Sequence, residues 1–259
     1  MKVLVLYVFH IYNKRVEYFI NHCIVKEDNI DFIIICNNKD TKVRVPTYVK
    51  QLFRDNIGYD FGGWSDALLT NNLYDNYTHF IFVNSSVIGP YLPSTFTGKW
   101  TDVYLNGLQG NVKLFGSTIN TCNKPFTHSH VQSYIFSMDK NTLNYLIQCE
   151  IFSMTNYAKT FDDAIQSKEI LMSRKVIENN WNIGSCMTYY KDVDFTFKSK
   201  QVLKPFLGDI CNTHYYNTIW NEYEVVFIKG NRGLPISFPN SLIKVKQNIR
   251  KLLLLSIFF

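Results

Sequence analysis

Three short, nearly unbroken apolar runs, Val3 to Phe9, Asp31 to Cys36 and Phe80 to Val83, each stop abruptly in polar or turn residues. Runs of this length without polar alternation read as strands buried on both faces, which belong in a parallel sheet covered by helices. Between the first two, Val16, Phe19, Ile20 and Cys23 fall at the i, i+3, i+4, i+7 spacing of an amphipathic helix. Strand, helix and strand within about 35 residues form a βαβ unit, right-handed in nearly all cases. The expected fold class is therefore α/β. Ligands of open α/β sheets bind at the carboxyl ends of the strands, so Asn37-Asn38 and Asn84-Ser85-Ser86, which close the second and third runs, are the first candidate site residues.

A chain of 259 residues with 46% apolar content has ample material for one core. With no internal repeat or low-complexity linker, one domain over residues 1–235 and a basic, apolar C-terminal tail over 236–259 are expected. The tail alternates Lys and Arg with apolar residues from Leu242 onward and ends LLLLSIFF. It can lie on an anionic membrane surface as a peripheral contact or pack back as a last helix. The net charge of +6 suits an anionic ligand such as a nucleotide diphosphate, but without a dense Lys/Arg stripe no nucleic-acid partner is expected. The aromatic share of 16% suits walls on which sugars or bases stack, although core packing is the commoner use. Six cysteines stand singly, with no CxxC or Cys/His cluster, and read as reduced thiols of an intracellular, cytoplasmic protein. KVLVLYVF is too short for a signal peptide, and no segment reaches the roughly 20 apolar residues of a membrane span.

The segment Arg54 to Trp64, RDNIGYDFGGW, concentrates polar residues and glycines. Its glycines allow the backbone to approach a ligand closely, and Asp60 is placed to cap a helix from about Gly62 to Leu69. It matches neither GxGxxG nor a Walker loop. Lys113 to Thr118 reads as a further strand, and His130 to Phe136 mixes apolar residues with His130, Gln132 and Tyr134. Alone, His130 reads as a structural or a catalytic histidine. Asp139 or Asn141 then starts a short helix. Thr160-Phe161-Asp162-Asp163 opens a helix to about Asn179-Asn180, in which Phe161, Ile165, Met172 and Val176 share a face with Glu169 in its middle. A carboxylate there must be paired, protonated or open to a cleft; it is a structural ion pair or a general base with a raised pKa. Trp181 to Tyr190 reads as another strand. Near the end, Lys229 and Arg232 close an apolar run and can reach a diphosphate.

Taken together, VFHIYNKRVEYFI, RDNIGYDFGGW, FVNSSVIGP, HVQSY, KEILMS and EYEVVFIKGNR resemble, in order, the rhamnan synthesis protein F family of glycosyltransferase-like proteins, which includes relatives in large DNA viruses and algae. The resemblance implies a glycosyltransferase A-type fold, a mostly parallel twisted sheet flanked by helices, with the sugar nucleotide at the strand carboxyl ends. It implies that Tyr7, Phe9 and Asn37-Asn38 face the base and ribose, and that Asn56, Gly58 and Asp60 approach the diphosphate and sugar; Arg54, which a simple loop and helix cap would not need, is a further donor-binding candidate of the same loop. It places His130 and Gln132 toward the sugar or acceptor and Glu169 in the inner cleft.

Metal-dependent members of that fold end the strand equivalent to Phe80 to Val83 in an Asp-x-Asp pattern. Here the residues are Asn84, Ser85 and Ser86, whose neutral oxygens hold a hard divalent cation far more weakly. Either Mn²⁺ or Mg²⁺ is held mainly by the nucleotide diphosphate, or Lys229 and Arg232 neutralise the leaving group, or activity is lost. The expected activity is transfer of a hexose or deoxyhexose, rhamnose if the family name is a guide, from a nucleoside-diphosphate sugar to a glycan or glycoprotein acceptor. Glu169 is the first expected base, with Asp60 and His130 as rivals. The competing reading is a catalytically silent nucleotide- or glycan-binding partner subunit. A nucleotidyltransferase would need a glycine-rich basic loop that Phe9 to Arg15 lacks.

Overall fold

The computed structural model describes residues 1–121, 128–198, 222–231 and 238–239. The first apolar run is β1 (Val3–Phe9), buried at all seven positions. The helix α1 (Lys14–His22) follows, with the Asn13 side chain accepting from the Arg15 and Val16 amides and Val16, Phe19 and Ile20 buried. Next come β2 (Ile30–Cys36), β3 (Lys50–Phe53) and the helix α2 (Tyr59–Leu69). The third apolar run is β4 (His79–Asn84), followed by the short β5 (Val87–Ile88) and the helix α3 (Trp100–Asn106). Beyond them lie β6 (Val112–Gly116), β7 (Ile119–Asn120), β8 (His130–Val131), β9 (Ile135–Asp139) and α4 (Lys140–Gln148), capped by Asp139.

The expected helix after Thr160 is not continuous. A short α5 (Phe161–Asp163) runs into a π-helical segment, Ala164–Ile170, and then α6 (Leu171–Glu178). Here β10 (Asn182–Ser185) is shorter than the expected strand, which gives way to a 3-10 turn at Thr188–Tyr190. Finally α7 (Glu222–Val225) leads to β11 (Ile228–Lys229).

The main sheet has the order β10-β6-β9-β4-β1-β2-β3. Within it β9 runs antiparallel to both β4 and β6, while the other neighbours pair in parallel. The fold is therefore the expected α/β class, a mostly parallel sheet flanked by helices. Side chains alternate between two core layers as the pleat requires. Leu4, Leu6, Val8, Phe80 and Phe82 pack with Trp64 of α2, Leu146 of α4 and Met172 of α6. Val3, Val5, Tyr7, Phe9, Ile81 and Val83 pack on the opposite side with Phe19 of α1 and Trp100 of α3.

The glycines of the Arg54 segment serve helix-to-sheet packing. A Cβ on Gly63 would lie 2.9 Å from Val8 Cγ2 and 3.0 Å from Asn37 Oδ1, and one on Gly62 would lie 2.1 Å from the Ile57 carbonyl oxygen. They let α2 sit closely on Val8, Ile35 and Asn37 and on the Ile57 carbonyl, so the close approach that Gly62 and Gly63 serve here is to the protein itself. Asp60 likewise does not cap the helix: α2 starts at Tyr59, and its cap is Gly58 in the left-handed region at φ 72°.

Among the described residues no helix is long and apolar enough to cross a membrane. Cys23, Cys36, Cys149 and Cys186 are free thiols. Of the tail expected over 236–259, Phe238 is described and stacks on Tyr18 with ring centroids 4.6 Å apart; Leu242 to Phe259 lies outside the described residues.

Candidate functional site

A cleft of about 530 Å³ opens above the carboxyl end of β4, bounded by the first turn of α2, β8, the π-helical segment and β11. Asp60, Asn84, Ser85, Ser86, His130, Gln132, Ser133, Glu169 and Lys229 line it. Residues from five parts of the chain thus converge where a parallel sheet presents its strand ends.

Asp60 is the central carboxyl. Asn84 Nδ2 donates to its Oδ2 at 2.9 Å. The Asn84 amide cannot turn over, because its Oδ1 accepts from the Ser86 amide at 3.0 Å and from the Ser86 hydroxyl at 2.5 Å. Enclosure by the protein pushes the Asp60 carboxyl up to about 6; the Asn84 hydrogen bond opposes the rise, the Glu169 charge adds to it and the Lys229 charge opposes it.

Glu169 behaves in the opposite way. Burial alone would raise its pKa, but the hydrogen bond and charge of His130, the Lys229 charge and the Ser133 hydroxyl outweigh that and hold it below the usual range. His130 Nε2 lies 3.3 Å from Glu169 Oε1, and the Ser133 amide and hydroxyl both donate to Oε2. His130 Nδ1 is 2.8 Å from the His128 carbonyl oxygen. Both ring nitrogens therefore face oxygen acceptors. Of the two readings of Glu169, the general base with a raised pKa is corrected: this carboxylate is held low by its partners, and the raised carboxyl is Asp60.

The π-helical segment explains how Glu169 reaches the cleft. A wider turn shifts the phase of the side chains, so Phe161 and Ile165 do not share the buried stripe of Met172 and Val176 as 100° spacing predicts. Phe161 and Ile165 line the cleft instead, with Phe161 exposed. On the far side, β11 pairs antiparallel with β5, placing Lys229 opposite Val87. The Gly230 amide donates to the Ser86 carbonyl at 2.6 Å, and Arg15 Nε donates to the Ser85 carbonyl at 2.9 Å.

Residues 32–205 match the sequence profile of a family described as rhamnan synthesis protein F. The chain belongs to the rhamnan synthesis protein F family. An uncharacterised protein of Sinorhizobium fredii (strain NBRC 101917 / NGR234), y4gN, is 27% identical over 198 residues, covering 73% of this chain and 49% of its own. The chain thus spans about half the length of that curated relative. Two solved structures are distantly similar. A197 from STIV is 10% identical with a TM-score of 0.31, covering 56% of this chain and 68% of that one. A glycosyltransferase involved in the glycosylation of the major capsid of PBCV-1 is 12% identical with a TM-score of 0.33, covering 64% and 74%. At that distance neither carries a functional assignment.

Within this family member several expected site residues are placed away from the cleft. Tyr7 and Phe9 are fully buried in the second core layer, Tyr7 stacked on Phe19 with centroids 3.9 Å apart. A strand's terminal residues are not exposed merely by being terminal, and α1 covers these. Arg54 is also buried: its Nε donates to Asp66 Oδ2 at 2.7 Å, its Nη1 to Asn37 Oδ1 at 3.0 Å and its Nη2 to the Ile57 carbonyl at 2.7 Å. Asn37 completes this clamp by donating to Asn56 Oδ1 at 3.1 Å and to the Tyr59 carbonyl at 3.0 Å. Arg54 and Asn37 therefore hold the loop from behind, with their polar groups turned into it. Gly58 is buried under Tyr157, while Asn56 lines the cleft. Gln132 lines it too, its Oε1 accepting from the Thr118 hydroxyl at 2.8 Å. Arg232 lies outside the described residues. Ser133, Tyr59 and Phe161 escaped notice as site residues, although HVQSY and the Arg54 segment contained the first two.

The donor set does not fit a protein-held divalent cation. Asn84 turns its NH₂ toward Asp60 and engages its oxygen twice with Ser86, so the β4 end offers no oxygen pair comparable to two carboxylates. Among the described residues no group of three His, Cys, Asp or Glu side chains is placed to hold a metal.

Proposed function

We propose that this chain is a glycosyltransferase that moves a hexose or deoxyhexose from a nucleoside-diphosphate sugar to a hydroxyl of a glycan or glycoprotein acceptor. The observation that carries the reading is Asp60, a carboxyl pushed up to about 6 in the strand-end cleft with Lys229 near enough to oppose that rise. A base works best with a pKa near the operating pH, and Asp60 meets that requirement better than Glu169, whose oxygens are taken by His130 and Ser133. Asp60 accepts the acceptor hydroxyl proton as that oxygen bonds to the anomeric carbon. The bond from the anomeric carbon to the diphosphate oxygen breaks, its electron pair leaves with the diphosphate, and Lys229 offsets the charge. Family membership supports this reading.

The replacement of an acidic pair by Asn84, Ser85 and Ser86 favours a second reading, a nucleotide- or glycan-binding partner subunit without turnover. Thermal shift and hydrolysis across uridine, thymidine and guanosine diphosphate sugars, with Mn²⁺ and with chelator, separate the two. Transfer or slow donor hydrolysis that persists in chelator is the expected result. Donor binding with neither reaction, in the presence of glycan acceptors, overturns the transferase reading in favour of the subunit.

A further inference from the structure

The cleft has two chemically different sides. Its floor carries Asp60, Asn84 and Glu169, whereas part of its opening is built from Tyr59, Phe161, Ala164 and Ile165. Phe161 is 65% exposed, although water is a poor environment for a phenyl ring. Its ring meets Tyr59 edge to face with centroids 6.3 Å apart, a favourable geometry for two aromatics. Tyr59 occupies the left-handed region at φ 55°, which is strained for a bulky residue and persists where the surroundings over-determine it. The Asn37 amide, itself fixed by Arg54, supplies such a constraint at the Tyr59 carbonyl. One ring is thus held in a strained pose and the other left uncovered, side by side at the mouth of a polar cleft.

We propose that Tyr59 and Phe161 form a stacking platform for the pyranose ring of the acceptor. A pyranose has a C–H-rich face that packs on aromatic rings while its hydroxyls stay available for hydrogen bonds. Rigid aromatic surface beside a few convergent polar groups is what such a ligand requires. The platform is assigned to the acceptor because Tyr59 precedes Asp60 in the chain. The hydroxyl to be deprotonated must reach Asp60, so the sugar that carries it lies against the neighbours of Asp60, while the diphosphate belongs with Lys229. This assignment rests on the sugar-transfer reading, but the platform can be tested without it.

The probes are methyl glucopyranoside and methyl rhamnopyranoside, titrated into the full chain by saturation-transfer NMR, and uridine, thymidine and guanosine diphosphates, followed by thermal shift. Phe161→Ala is expected to weaken glycoside binding about fivefold, Phe161→Trp to retain it, and both to leave nucleotide affinity unchanged. Because Phe161 is exposed, an unaltered melting temperature verifies the fold of each variant. Absence of glycoside binding by the wild type, glycoside binding that ignores Phe161→Ala, or a loss that falls on the nucleotide would each overturn the platform. Glycoside binding that depends on Phe161 in a chain that transfers no sugar from any donor leaves the platform standing and removes the transferase reading.

Discussion

Replacing Asp60 by Asn should make the protein more stable and less active, and the stability gain should depend on pH in a defined way. The Asp60 carboxyl moves from 3.8 to about 6 on folding, chiefly because the protein encloses it. Below pH 4 the folded and unfolded chains both carry the proton, and the group contributes nothing. Between about pH 4 and 6 the unfolded chain gives up a proton that the folded chain keeps, so stability falls as pH rises. Above pH 6 the penalty is constant, at most ~3 kcal/mol for a shift of about two units. Exposure to the cleft reduces it to roughly 1–3 kcal/mol. Asn keeps the shape, and its carbonyl can accept the Asn84 amide as Asp60 Oδ2 does. The variant should therefore melt roughly 2–9 °C higher than the wild type at pH 8, with the gap closing toward pH 4. Scanning fluorimetry across that range, beside a transfer assay expected to fall by about 10²-fold or more, makes the measurement. A gap that does not change with pH, or a variant that melts lower at pH 8, would show that the folded protein does not raise this carboxyl and would remove the basis for naming it the base.

Glu169→Gln should behave inversely. Its carboxylate is held low in the folded state, so its stabilisation is present above the unfolded pKa and is lost as pH falls through the folded one. The variant should melt below the wild type at pH 7 and match it in acid, with a smaller loss of turnover than Asp60→Asn. Turnover lost to the same extent in both would return Glu169 to contention as base. Arg54→Lys should lower stability by about 1–3 kcal/mol, because one ammonium cannot serve Asp66, Asn37 and the Ile57 carbonyl together and leaves buried acceptors without their donor, although Tyr157 still donates to Asp66. Nucleotide diphosphate affinity below the melting transition should hold. A variant of unchanged melting temperature and weakened nucleotide binding would restore Arg54 as a direct ligand.

The parts of the fold legible in the sequence were those buried on both sides. β1, β2 and β4 announce themselves because all of β1 and the apolar positions of β2 and β4 are buried in a core layer. β3 does not, since Lys50, Gln51 and Phe53 of this edge strand are exposed and no run of apolar residues marks it. The break in the helix after Thr160 was equally hidden: 100° spacing presumes an α-turn, and nothing in Ala164 to Ile170 advertises a wider one. In the site, residue types were easier to read than partners. Asp60 and Glu169 stood out as carboxylates, but the pKa of each is set by Asn84, His130, Ser133 and Lys229, which lie far off in sequence. Arg54 was misassigned for a related reason: a guanidinium that binds a diphosphate and one that braces a loop look alike until the carboxylate and carbonyls around it are in view.

The seating of α2 on the sheet at Gly63, directly against the side chains of Val8, Ile35 and Asn37, also bears on how the site can change. Asp60 sits one turn before the contact at Gly63, so its position is tied to how closely that glycine meets the side chains of Val8, Ile35 and Asn37. Any side chain added at Gly62 or Gly63 would push the helix, and the carboxyl with it, away from the strand ends. Change through this floor is therefore hindered at each single step. The exposed ring of Phe161 anchors no core layer, so its exchange costs the fold little and alters the mouth of the cleft, and divergence among relatives should gather there.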